Sequence, residues 1–225
     1  MGVLTSIIDR SISGSFSSDM FFNIRDGAFR ACSKLTEVSF PVASNIGTYA
    51  FQDCNKLTSV SFPVATSIGN GAFYECRGFT EITDEFFPVV TSIGSYVFSY
   101  CRGLISVSFP NVTSIGAGAF YSCSSLTEVS FPKATSIGNQ AFQNCSSLTS
   151  VSFPNIINIG NYAFNGCSGL TTIYVGTESD TVCSLSSTNA IPSSVTDIYV
   201  PASLVDSYKS ATNWSNYADK IKATP

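Results

Sequence analysis

Seven of the eight cysteines stand at one recurring position: Cys32, Cys54, Cys76, Cys101, Cys123, Cys145 and Cys167, with Cys183 outside the series. Thiols offer three chemistries, namely disulfide formation, metal binding and nucleophilic attack. An even count invites a disulfide framework. The recurrence argues otherwise, because one equivalent inward site per repeat forms a ladder. Neighbouring Cβ vectors in a ladder run parallel, which suits the S–S torsion poorly, and seven members cannot pair completely. Free cysteine packs as a small buried hydrophobe. The ladder is therefore expected to be buried thiols, with partial disulfides or a metal site as the alternatives. Cys183, off the ladder, is expected to be the most exposed thiol.

The rest of the chain offers little catalytic material. It contains no histidine, which removes Ser-His-Asp and Cys-His nucleophile pairs and every histidine-bearing metal site. Acidic neighbours occur at Asp84-Glu85 and at Glu178 with Asp180. Glycosidase chemistry would need two carboxyls facing each other across a cleft, and solvated loop acids are the plainer reading. No glycine-rich phosphate loop is present, since each Ser-Ile-Gly glycine stands alone. No catalytic, cofactor-binding or metal-binding residue is assigned, and the chain is read as non-enzymatic. A net charge of −4 with 12% charged residues lacks the basic stripe of a nucleic-acid binder. No run reaches the 18 or so apolar residues of a membrane-spanning helix, so no membrane insertion is expected. Met1-Gly2-Val3-Leu4 opens no signal peptide, for no charged segment and apolar run follow.

What places the cysteines is a repeat. A phenylalanine three residues before each of them falls at Phe29, Phe51, Phe73, Phe98, Phe120, Phe142 and Phe164, at intervals of 22 residues except the third, which is 25. A fixed period of this length means one supersecondary unit stacked on copies of itself. In the turn Leu57–Cys76, Leu57, Val60 and Phe62 fit the pattern L-x-x-L-x-L, whose last positions alternate in and out as a short strand. Pro63 ends the strand because it has no N–H to donate. Ile68 is expected to point inward from a second extended segment, and Gly69 to supply the freedom of a tight turn. Ala72, Phe73 and Cys76 sit at spacings that suggest a helical turn facing the core. One turn cannot bury these groups alone, so the core is a continuous rod. The three extra residues of the 25-residue interval should bulge after the strand, at 83–87.

The string A-F-x-x-C-x-x-L-T-x-V-x-F-P-x-x-T-x-I-G resembles the BspA-like leucine-rich repeat family over residues 27–175. The resemblance implies an α/β repeat solenoid, a right-handed leucine-rich repeat rod of short parallel β-strands and roughly 22-residue turns, capped at both ends. It also implies a bacterial cell-surface or secreted protein that adheres to host matrix proteins.

Four segments are expected. Residues 1–26 form an N-terminal cap with a degenerate repeat, carrying Ile7, Ile8, Ile12, Phe16, Met20, Phe21 and Phe22. Residues 27–175 hold seven repeats, 176–200 an irregular final repeat, and 201–225 a helical C-terminal cap broken near Thr212-Asn213. Trp214 reads as an anchor of that cap rather than a ligand site.

Candidate binding positions follow from which residues face out. The strand face reads Glu37 with Ser39, Ser59 with Ser61, Glu81 with Thr83, Ser106 with Ser108, Glu128 with Ser130, Ser150 with Ser152, and Thr172 with Tyr174. This is a carpet of hydroxyls with a carboxylate on every second turn, which also avoids stacking like charges. It suits a shallow, weakly acidic surface for an extended partner. Between Cys and Leu lies a basic column, Lys34, Lys56, Arg77 and Arg102, confined to the N-terminal half. Asp53 and Glu75 are near enough to pair locally with Lys56 and Arg77. The alternative is a contact stripe for an acidic partner, with Tyr74, Tyr100 and Tyr121 as aromatic anchors. The expected partner is an extracellular protein or glycan bound by a monomer. A passive spacer is the second possibility, and an ordered-surface binder using the column Thr36, Thr58, Thr80, Thr127, Thr149 and Thr171 the third.

Overall fold

In the computed structural model, which describes residues 2–4 and 13–225, the chain winds as a parallel-strand solenoid with three sides per turn. The first side is the L-x-x-V-x-F segment. Its strands lie in register one turn apart, for example Glu37 beside Ser59, Val38 beside Val60 and Ser39 beside Ser61. The second side is the Ser-Ile or Asn-Ile pair, with Ile93, Ile115, Ile137 and Ile159 aligned in one parallel ladder. All these isoleucines are buried.

The third side corrects an expectation. The Ala-Phe-x-x-Cys segment forms no helical turn; it is a run of turns, and helix is scarce throughout the described residues. Two residues in every repeat, placed two before and two after the ladder phenylalanine, have left-handed backbone. The pairs are Gly27/Ala31, Tyr49/Asp53, Gly71/Glu75, Tyr96/Tyr100, Gly118/Ser122, Gln140/Asn144 and Tyr162/Gly166. This twist lets alternate N–H groups point in two directions. The N–H groups of Gly71, Phe73 and Glu75 donate to Ser95, Val97 and Ser99 of the next turn, while those of Ala72, Tyr74 and Cys76 close onto carbonyls three residues back. The backbone polar groups of this buried segment are thus satisfied without a helix.

Inside the rod run two columns of stacked phenylalanine. Phe29, Phe51, Phe73, Phe98, Phe120, Phe142 and Phe164 stack with centroids 4.9 to 5.6 Å apart and planes within 16°. Phe40, Phe62, Phe87, Phe109, Phe131 and Phe153 form the second column at 5.5 to 6.4 Å. Each offset pair adds roughly 0.5–1.5 kcal/mol beyond its area burial. The 25-residue interval is absorbed without breaking the second column. Thr83 to Phe87 form a compact turn that leaves Asp84 and Glu85 exposed and seats Phe87 between Phe62 and Phe109.

Gly69 serves a purpose other than the one expected. Its backbone is not left-handed; a Cβ there would sit 2.6 Å from the carbonyl carbon of Gly47 one turn away. The Ser-Ile-Gly glycines therefore mark where successive backbones touch.

The ends depart from the repeat. At the N-terminal end Phe16 and Phe21 pack against the core, whereas Met20 and Phe22 are exposed; Ile7, Ile8 and Ile12 lie outside the described residues. At the other end the expected helical segment is shorter. A 3-10 turn at Ala202–Leu204 leads into the helix Val205–Ser210, a second 3-10 turn follows at Trp214–Tyr217, and Ile221–Ala223 is a strand paired with Asp197–Val200. Trp214 is fully buried and donates its indole N–H to the carbonyl of Cys183 at 2.6 Å.

A non-glycine residue in left-handed backbone costs roughly 1–2 kcal/mol, and glycine's extra chain entropy gives back about half of that. Ser122→Gly should therefore raise the urea unfolding free energy by about 0.5–1 kcal/mol. Gly71→Ala should lower it, since its Cβ would lie 2.3 Å from the Tyr49 ring. A loss of stability in Ser122→Gly would refute the strain account.

Candidate binding faces

The strand face presents the outward residues in straight columns. Glu81 lies beside Ser106 and Ser106 beside Glu128, so the acids alternate with hydroxyls along the rod. Glu37, Glu81 and Glu128 are all exposed. Alternate turns are separated by about 10 Å, close to the screening length in ordinary salt, so the acids repel one another weakly. Over the middle of this face runs a groove of about 470 Å³, lined by Ser106, Ser108, Glu128, Ser130, Ser152 and Tyr174 among others. Its floor reaches Val129, which is only half-buried where the other strand valines are buried. Beyond it Tyr174 and Tyr199 stack at 4.9 Å.

The basic residues do not form one column. Lys34 and Lys56 stand two residues after their cysteines, whereas Arg77 and Arg102 stand one residue after theirs. The position two after is glycine in those turns: a Cβ on Gly78 would meet the backbone of Lys56 and Leu57 at 2.7 to 3.1 Å. Arg77 pairs with Glu75 at 2.7 Å, and the guanidinium of Arg102 lies 5.6 Å from the centre of the Tyr100 ring. Between Asp53 and Lys56 the expected pair is absent among the described residues, where the ion pairs are Arg77–Glu75 and Lys222–Asp197.

Tyr74, Tyr100 and Tyr121 come together on the third side. Their rings follow one another at 5.3 Å, and Tyr49 extends the series from Tyr74 at 6.5 Å. Tyr100 reaches this row from a different offset. It stands two residues after its phenylalanine rather than one, and the intervening Ser99 is fully buried, its hydroxyl donating to the Tyr121 carbonyl at 3.4 Å. Tyr96 and Gln140 complete a hollow of about 250 Å³ with Tyr74, Ser99, Tyr100 and Tyr121. Sequence spacing alone missed Tyr96 and Gln140, though their shared offset from the phenylalanine ladder could have flagged them. Partial burial raises the Tyr74 and Tyr100 hydroxyls above their ordinary pKa, reinforced by the neighbouring phenols.

Threonine hydroxyls of the 58–171 column are turned to internal use. Those of Thr58, Thr127 and Thr171 donate to the carbonyl one turn back at 3.1 to 3.3 Å. Among the described residues no group of three potential metal-ligating side chains is gathered.

All eight cysteines are buried and none is joined in a disulfide. From Cys54 to Cys167 each ladder thiol donates to the carbonyl of the ladder phenylalanine in the preceding turn, at 3.0 to 3.3 Å. Cys183 is a correction: it is 1% exposed, beneath the C-terminal segment, and its N–H donates to the Tyr208 hydroxyl at 2.9 Å. Burial pushes the Cys183 thiol up to about 12 and raises the Cys76 and Cys101 thiols well above ordinary cysteine.

Comparison with known proteins accords with this geometry. A BspA type leucine rich repeat profile matches residues 22–132, 66–189 and 91–216. The chain belongs to the BspA type leucine-rich repeat family. Among solved structures it is similar to a leucine-rich repeat protein of T. pallidum, at 22% identity and a TM-score of 0.52, covering 98% of this chain and 90% of that one. A leucine-rich repeat protein of Bacteroides ovatus matches at 20% identity and a TM-score of 0.55, covering 97% and 71%. The pneumococcal vaccine antigen PcpA matches at 14% identity and a TM-score of 0.52, covering 95% and 79%. These likenesses are of fold. No curated protein matches the chain.

The thiols make stability depend on alkaline pH with a definite sign. Above the unfolded value of 9.0 the unfolded chain loses thiol protons that the folded chain keeps, so it binds fewer protons and stability falls as pH rises. The urea midpoint should be flat up to about pH 8 and fall from about pH 9 upward, Cys183 contributing until about 12. A thiol reagent at neutral pH should label none of the eight until the protein is unfolded. Rapid native labelling of Cys183 would contradict its burial.

Proposed function

We propose that the chain is a non-enzymatic binding module of a bacterial cell-surface or secreted protein, and that an extended protein partner lies along its strand face. The observation that carries this is the groove over Ser106, Glu128, Ser130 and Ser152. Straight columns of hydroxyl acceptors and donors, a carboxylate on alternate turns and a half-exposed apolar floor suit an extended segment. Repeat rods use their long faces for binding in general. The basic residues take a lesser part in this reading, because Arg77 and Arg102 are already engaged by Glu75 and Tyr100. The family supports a surface or secreted location, and no helix among the described residues is long and apolar enough to cross a membrane. A passive spacer is the second reading, supported by phenylalanine stacks that run without interruption from Phe29 to Phe164.

Immobilised host matrix proteins, tested before and after enzymatic deglycosylation, give the measurement. Saturable binding that survives deglycosylation is expected. Glu37→Lys, Glu81→Lys and Glu128→Lys together should weaken it at least about tenfold, equivalent to about 1.4 kcal/mol. Replacing Lys34, Lys56, Arg77 and Arg102 by alanine should change it less than about threefold. A larger effect of the basic set would move the contact to that corner, and no binding to any matrix protein would favour the spacer.

A further inference from the structure

The third side of the rod differs chemically from the strand face. One residue after the ladder phenylalanines from Phe51 onward stand Gln52, Tyr74, Ser99, Tyr121, Gln143 and Asn165, without a charge among them; Arg30, in the same place after Phe29, is the one charge in this column. The column two residues before, from Tyr49 to Tyr162, carries none either. Beyond Arg30, charge lies two residues after the phenylalanine at Asp53 and Glu75, in the column that also holds Tyr100 and Asn144, and just after the cysteine at Arg77 and Arg102. Along this strip the rings of Tyr49, Tyr74, Tyr100 and Tyr121 give way to side-chain amides. Asn144 donates to the Tyr121 hydroxyl at 3.5 Å, and Gln140, Gln143 and Asn165 are linked amide to amide.

Left-handed backbone recurs in every repeat, at Ala31, Glu75, Gln140 and Tyr162 as well as at Tyr49, Tyr96 and Tyr100, so it belongs to the rod and sets where these tyrosines stand without marking them out. Tyr49 and Tyr96 each close over the glycine of the next turn. Tyr100 covers no glycine; its ring lies between Tyr74 and Tyr121 with Arg102 on it.

We infer that this strip is a second binding site, and that its ligand is a neutral glycan in extended form. Pyranose rings present flat C–H faces to aromatic rings and pairs of hydroxyls to amides. The strip supplies both in sequence along one line. From Tyr74 to Tyr121 the rings are 5.3 Å apart, each tilted 60° to the next, a spacing close to the advance of one sugar unit in an extended chain. A charged peptide would find only Asp53, Arg102 and the mutually paired Glu75 and Arg77 beside the rings, and an apolar one would meet amides and phenol hydroxyls. The hollow among Tyr74, Tyr96, Tyr100 and Tyr121, at about 250 Å³, falls below the usual size of a drug-like pocket, about 300–1,000 Å³, and has the scale of a single sugar ring. The site shares no residue with the strand-face groove, so it stands or falls apart from that reading.

Isothermal titration with cellohexaose, chitohexaose and mannohexaose tests the assignment on the full chain. At least one should bind with a Kd near or below about 1 mM, changed less than about twofold between about 0.1 and 0.5 M NaCl because the sugar itself carries no charge. Tyr74→Ala with Tyr121→Ala should weaken it at least about tenfold, while Tyr74→Phe with Tyr121→Phe keeps the stacking rings and most of the affinity. Glu37→Gln, Glu81→Gln and Glu128→Gln together should bind the glycan as the parent does, which separates the two faces. Tyr100→Gly should bind more weakly than the parent. No binding of any of the three hexasaccharides, or binding that survives the alanine pair, would each overturn the inference.

Discussion

Each turn of this rod must lay the same backbone group over its counterpart in the turn before. Phe29 N–H meets the Ala50 carbonyl, Phe51 N–H the Ala72 carbonyl, and so on to Phe164 and Ala190. That translational ladder, present on all three sides, dictates the side chains. Where backbones touch, only glycine fits, as at Gly69 over Gly47. Where a side chain points inward, it must stack on a copy of itself, and the planar phenylalanines do so within 16° along the first column. Cysteine suits the neighbouring inward position because a small thiol can both pack and donate to the carbonyl one turn back. The same ladder would have left an alcohol more costly to bury and a larger side chain without room.

The ladder also sets what the outside can do. A column repeats at the turn spacing, so any like charge on successive turns would sit about 5 Å from its copy. The strand face avoids this by alternating Glu with Ser. The third side carries fewer charges, and where Asp53 and Glu75 follow one another at the same offset, Glu75 is paired with Arg77; the rest is left to rings and amides. The two faces are therefore different chemical surfaces generated by one repeat. Left-handed residues make the difference possible, since they turn every other N–H on the third side toward the next turn and free its side chains to stand in rows.

Much of this was legible in the residues. The interval of Phe, Cys, Val-x-Phe-Pro and Ile-Gly predicted a rod of parallel turns with a buried thiol ladder, and the outward acids could be counted directly. The Ala-Phe-x-x-Cys segment was misread as helical because spacings of three and four fit a helix as well as they fit a chain of tight turns. Its left-handed positions are filled by Tyr, Asp, Glu, Gln, Ser, Asn, Ala and Gly alike, so no residue type announces them. Cys183 looked exposed because the residues that cover it, Tyr208 and Trp214, are distant in sequence.

By itself the sequence determined the period, and with it the inward columns and their stacking partners, because a repeat relates each residue to its neighbour by a fixed count. Tertiary structure alone decided which outward residues meet. Tyr100 joins Tyr74 and Tyr121 from a different offset, with the small Ser99 buried beneath them at the position where its neighbours carry tyrosine. Arg102 lies on that ring rather than in line with Lys34 and Lys56. Backbone angles at single residues set such choices, and a change of one position in a turn moves a side chain from the core to the surface.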